Sequence, residues 1–158
     1  IAGYSNKNLL LKLAKDKPAV EVVWKDQNKT AISPVNVQPL VKDGVVYGFD
    51  QSAELAAVEI PSGKRLWTTP EPLSKRPLGS GTAFIVRHED KFFFFTETGF
   101  LVTGTLTPKG FTETSRAKLL PPTNNAFGRD VLWCAPAFAN KRVYVRNDSD
   151  IAAFDLSK

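Results

Sequence analysis

The stretch Pro39–Ile60, PLVKDGVVYGFDQSAELAAVEI, decides the fold, because three apolar runs are cut by two polar breaks of different kinds. Asp43-Gly44 is a tight-turn dipeptide of the type that closes a two-residue β-hairpin. The run after it, Val45–Phe49, is β-branched and aromatic, as a half-buried or buried strand requires. Gln51–Glu54 is a second, polar turn, and Leu55–Glu59 a third strand. The same order recurs in Ala83–Leu106, AFIVRHEDKFFFFTETGFLVTGTL, and in Pro136–Leu156, PAFANKRVYVRNDSDIAAFDL. Leu55, Leu101 and Ile151 open the third strand of each copy, at spacings of about 46 and 50 residues. A partial copy lies upstream, where Asn8–Leu13 matches a third strand and Val20–Trp24 an outer strand ending like Leu66-Trp67.

A repeat of about 40–50 residues built from four strands is the pattern of a β-propeller blade. The chain is therefore expected to be all-β, with about three and a half four-stranded antiparallel blades. The expected parts are blade ends at 1–24, blades at 33–68 and 82–116, a long loop at 116–133 and an incomplete blade at 133–158. Propellers have typically four to eight blades, so this count implies a piece of a larger ring whose open sheet edges favour self-association. Trp24, Trp67 and Trp133 are expected to fill gaps between blades. Ala53, Ala56, Ala57, Ala152 and Ala153 would let neighbouring sheets approach closely.

Composition removes several function classes. The chain has 158 residues, of which 42% are hydrophobic. That is enough to bury one sizeable core. Its longest apolar runs, such as Phe92–Phe95, are short. A membrane-spanning helix needs roughly 20 residues, far more than any of them supplies. One Cys forbids an internal disulfide, and one Cys with one His cannot build the usual structural zinc site. The net charge is +5, but no basic run exceeds two residues and acids are interspersed, so no nucleic-acid partner is expected. The sequence opens on Ile1 and has no Met, so a translation start and any export signal are expected upstream.

At Asp43–Asp50, DGVVYGFD, and Glu59–Trp67, EIPSGKRLW, the chain resembles the PQQ-like repeat of quinoprotein-type propellers, whose usual form is a DG-hydrophobic-Tyr strand, an L-x-A-hydrophobic-D strand and a turn ending GK-x-x-W. Ala117–Asp148 is especially similar to bacterial BamB-like PQQ-repeat proteins. The repeat builds both quinone-dependent alcohol dehydrogenases and non-catalytic scaffolds such as the outer-membrane assembly lipoprotein BamB. The resemblance implies a periplasmic or outer-membrane-associated place in the bacterial cell envelope and a protein partner. It implies either a binding scaffold with no cofactor or, as the alternative, a quinone enzyme using PQQ and calcium. The enzyme would be expected to carry adjacent cysteines against the cofactor, an Asp base and a calcium site, whereas Cys134 stands alone.

The remaining candidates have ordinary readings. Cys134, in VLWCAPAF, is expected at the start of an inner strand as a small buried hydrophobe. His88 falls in the turn Arg87–Asp90, without the positioned neighbour a general base needs. Asn147–Asp150 resembles a calcium loop in composition only, lacking the glycine and distant Glu of an EF-hand. With the turns at Asp50–Glu54 and Thr96–Gly99 it is expected to make one face acidic. The long loop is the main functional candidate, since long loops on rigid scaffolds commonly carry function. In it Phe127, Arg129 and Asp130 are the candidate partner or ligand residues, and an Arg129–Asp130 pair is expected to pin it. No catalytic, cofactor-binding or metal-binding residue is expected.

Overall fold

The computed structural model describes residues 7–26 and 30–157, and all regular structure among them is β-strand. The first six residues of the expected blade ends lie outside the described residues. The strands fall into two compact units, one running to Gly81 with the turn Thr107–Gly110 added, the other formed by Thr82–Leu106 and the chain from Phe111 onward.

In the first unit β1 (Leu9–Leu13) pairs antiparallel with β2 (Val20–Lys25), with a bulge between Leu10 and Leu11. A four-stranded antiparallel sheet follows, in the order β3 (Leu40–Lys42), β4 (Val45–Phe49), β5 (Leu55–Glu59), β6 (Arg65–Thr69). Asp43 and Gly44, between β3 and β4, both have positive φ, at 49° and 77°. Positive φ at both central residues is what a type I′ hairpin turn needs. β4 is buried along its whole length, so both faces of this sheet are packed and its pattern is continuous rather than alternating. Ile32, Val46, Ala56 and Val58 form one core, with the indole of Trp24 packed against it. Trp24 Nε1 donates to the Ile60 carbonyl at 2.8 Å, and its ring lies so close to Gly63 that a Cβ there would sit 3.0 Å from it. Gly63 also has φ +69°, in the left-handed region. The GK-x-x-W turn therefore needs glycine both for its backbone and for the indole. Trp67 lies beside Tyr47, with ring centroids 6.1 Å apart.

The second unit holds a four-stranded antiparallel sheet ordered β7 (Ala83–His88), β8 (Lys91–Thr96), β9 (Phe100–Thr107), β10 (Gly110–Lys118). Phe92, Phe94 and Phe95 of β8 are fully buried. Each stabilises the fold by about 1.5–3 kcal/mol relative to exposure. β9 begins at Phe100, so Leu101 is its second residue rather than its first. The last sheet has three strands, β13 (Ala137–Ala139), β14 (Arg142–Arg146) and β15 (Ile151–Asp155). Phe95, Leu101, Leu120, Leu132, Val143 and Val145 form the core of this unit.

The expected long loop at 116–133 is shorter and more ordered than its composition implied. β10 continues to Lys118, and the segment then folds into a hairpin of β11 (Asn124–Ala126) and β12 (Arg129–Val131). Cys134 does not start a strand: it is half-buried and precedes β13, because Pro136 delays pairing until Ala137.

Candidate functional site

The residue that follows the second strand of each of the three larger sheets is polar and buried: Asp50 after β4, Glu97 after β8 and Asn147 after β14. Each ties its turn to chain from elsewhere in the repeat. Asp50 accepts from the backbone N–H of Ser33 and Gln51, both at 2.9 Å, and pairs with Arg65. Asn147 donates through Nδ2 to the Pro121 carbonyl at 3.1 Å and accepts the N–H groups of Ser149 and Asp150. The expected acidic face is therefore wrong at these leading positions. A carboxylate or amide that satisfies several donors is stable when buried, and here the donors come both from the turns and from Ser33, Arg65, Thr82, Arg129 and Trp133 outside them.

Glu97 is the most committed of the three, with 1% of its surface exposed. Its N–H donates to the Thr82 carbonyl and its Oε2 accepts the Thr82 N–H, at 2.9 and 3.0 Å. Its carbonyl accepts Leu132 N–H at 2.7 Å. Oε1 accepts Arg129 Nε at 2.7 Å, while Oε2 accepts Trp133 Nε1 at 2.8 Å and Arg129 Nη2 at 3.4 Å. One buried carboxylate thus anchors both β12 and the strand exit at Trp133.

The anchored hairpin presents an aromatic side chain to solvent. Phe127 and Gly128 form its two-residue turn, with φ of 52° and 72°. Gly128 adopts this conformation without strain, whereas a phenylalanine there costs on the order of 1 kcal/mol. Phe127 is 71% exposed, so burial does not offset that cost. The Arg129 guanidinium lies 5.7 Å from the Phe127 ring centroid and the Trp133 ring 6.2 Å from it. Arg129 therefore links the buried Glu97 to the exposed tip.

Two expectations need correction here. Arg129 pairs with Glu97, not with Asp130, because consecutive residues of a strand point to opposite faces. Asp130 is exposed and accepts from Asn125 Nδ2 at 3.4 Å across the hairpin. Trp133 is 40% exposed and is held by its indole N–H on Glu97, so it stands at the surface with Phe127 instead of filling a buried gap. His88 is the exposed last residue of β7, opposite Lys91. Sequence reasoning missed Glu97 because acids in turns are usually solvated; its recurrence with Asp50 and Asn147 at one repeat position was the available signal.

A depression of about 80 Å³ lies at the base of the hairpin, lined by Asn124, Val131, Trp133, Cys134, Arg146 and Asp148 among others. Cofactor sites run to roughly 300–1,000 Å³, so a tricyclic quinone does not fit it. The Phe127 and Trp133 rings meet at 50°, which leaves no parallel slot for a planar ring. No group of three or more His, Cys, Asp or Glu side chains among the described residues is placed to hold a metal ion.

These sheets define the class: an all-β protein of β-propeller type, built from antiparallel sheets of up to four strands. Among solved structures the chain is similar to BamB from Moraxella catarrhalis, at 18% identity and a TM-score of 0.50, over 98% of this chain and 44% of that one. It is similar to the quinohemoprotein alcohol dehydrogenase of Comamonas testosteroni, at 15% identity and a TM-score of 0.50, over 81% of this chain and 20% of that one. The computationally designed protein Ika8 matches at 12% identity and a TM-score of 0.52, over 98% of this chain and 45% of that one. The chain thus spans less than half the length of each. At these identities the likeness concerns the fold. No family model and no curated protein matches the sequence.

Proposed function

We propose that the chain is a non-catalytic binding scaffold of the bacterial cell envelope, and that the β11–β12 hairpin is its protein-docking element. The observation that carries this reading is Phe127, 71% exposed at positive φ on a hairpin fixed by the buried Glu97–Arg129 pair. Strained, exposed side chains that the surrounding structure over-determines concentrate at functional positions. A rigid aromatic also loses little conformational entropy on docking, which is why such residues dominate interface energetics. Arg129 and Trp133 hold the ring, and the exposed Asp130 adds a polar rim. The envelope assignment rests on the PQQ-like repeat pattern of the sequence.

The test is photo-crosslinking from position 127 in envelope extract, with position 109 in the β9–β10 turn as control. A discrete adduct from 127 alone, lost in Glu97→Gln, is the expected result. The quinone reading is tested separately by titration with pyrroloquinoline quinone and calcium. A stoichiometric absorbance change or a large melting shift would overturn the scaffold reading.

A further inference from the structure

The turn after the second strand holds a buried polar residue in each of the three larger sheets, but in the last sheet it also carries charges that the other two lack. The residues on either side of Asp50 are Phe49 and Gln51, and those beside Glu97 are Thr96 and Thr98, all neutral. Beside Asn147 stand Arg146 and Asp148. A buried polar residue at this place therefore needs no flanking charge, and this pair is not demanded by the repeat.

Asn147 is turned inward, where Nδ2 donates to the Pro121 carbonyl and Oδ1 accepts the Ser149 and Asp150 N–H groups. Its two neighbours both line the 80 Å³ depression at the base of the β11–β12 hairpin. They face one space, yet among the described residues neither Arg146 nor Asp148 forms an ion pair. Asp148 is fixed from the hairpin side instead: its N–H donates to Thr123 Oγ1 at 3.0 Å, and Thr123 Oγ1 donates to its Oδ2 at 3.4 Å. Asn124, also in the lining, uses Oδ1 to accept the Asn125 N–H at 2.8 Å, and among the described residues its NH₂ group has no partner.

A cation and an anion that line one small depression without meeting are complementary to a ligand that carries both charges. A water-sized group needs about 10–15 Å³ of such space, so the depression has room for on the order of five to eight non-hydrogen atoms. Glycine and alanine fall within that size. We propose that the depression is a binding site for a small amino-acid zwitterion, with its carboxylate on the Arg146 guanidinium and the Asn124 amide and its ammonium on the Asp148 carboxylate. The planar guanidinium matches a carboxylate, and charge-assisted hydrogen bonds at both ends fix the orientation. Val131 and Trp133 supply the apolar part of the lining, against which a methyl group fits. The site uses neither Phe127 nor Arg129, so it stands or falls independently of the docking reading.

The test is titration of the full chain with L-alanine at neutral pH, followed through the amide NMR signals of Asn124, Arg146 and Asp148. Saturable shifts with a dissociation constant on the order of 1 mM are expected. Acetate and ethylammonium each carry one half of the ligand and should bind at least about tenfold more weakly. Asp148→Asn and Arg146→Gln should each weaken alanine binding about tenfold or more with unchanged melting. Shifts that fail to saturate by about 50 mM overturn the proposal, as does equal affinity for alanine in either variant. Acetate or ethylammonium binding as tightly as alanine reduces the site to one for a single charge and overturns it too. If a variant loses stability, the comparison of alanine with its two halves on the parent protein decides alone.

Discussion

Replacing Glu97 by glutamine preserves the shape of the side chain and removes its charge. Four N–H groups converge on the two carboxylate oxygens: Arg129 Nε, Arg129 Nη2, Trp133 Nε1 and Thr82 N. An amide presents one acceptor oxygen and an NH₂ group that only donates. If its NH₂ takes the Oε1 position it faces Arg129 Nε, and if it takes the Oε2 position it faces Trp133 and Thr82. Either way a donor meets a donor and the guanidinium loses its counter-charge. Breaking a fully buried ion pair costs about 3–5 kcal/mol. The Arg129 side chain is 23% exposed. Water therefore recovers part of this cost, and about 2–3 kcal/mol is expected. For a chain of this size the shift in melting temperature is roughly 4–12 °C. Calorimetry reads it as a lowered transition temperature of the chain. A double-mutant cycle with Arg129→Met should return a coupling well above about 0.5 kcal/mol. Amide exchange over Asn124–Val131 should accelerate in step. A Glu97→Gln protein within about 0.5 kcal/mol of the parent, with unchanged exchange in the hairpin, would refute the anchoring argument.

Phe127→Asn places a residue that tolerates positive φ at the hairpin turn, so stability should rise by about 0.5–1 kcal/mol while the position-127 docking contact is lost; a destabilised variant would show that the ring supports the fold and is not held at a cost. Burial, with a smaller contribution from Asp43, raises the Tyr47 phenol above its ordinary range. Its contribution to stability is fully present below the ordinary tyrosine pKa and is lost as pH rises through the raised value, because the unfolded chain releases a proton the folded one keeps. Melting measured from about pH 9 to 11 should therefore fall more steeply for the parent than for Tyr47→Phe, and identical slopes would count against it.

The sequence by itself determined the repeat. Asp43-Gly44 sets a hairpin turn through its local φ preferences, and the β-branched and aromatic runs after such turns become strands wherever they sit. From these local rules came the four-stranded sheets and the all-β propeller class. The site was half legible: the segment before Trp133 and the residues Phe127 and Arg129 were singled out, but the partner of Arg129 was not. Its choice of the sequence-distant Glu97 over the adjacent Asp130 follows from strand alternation, which turns the Asp130 side chain to the opposite face of the hairpin. The contact of Trp24 with Gly63 and the exposure of Trp133 were equally beyond a linear reading. The same residue types occupy similar repeat positions in every copy, and only tertiary packing decides which of them meet a neighbour.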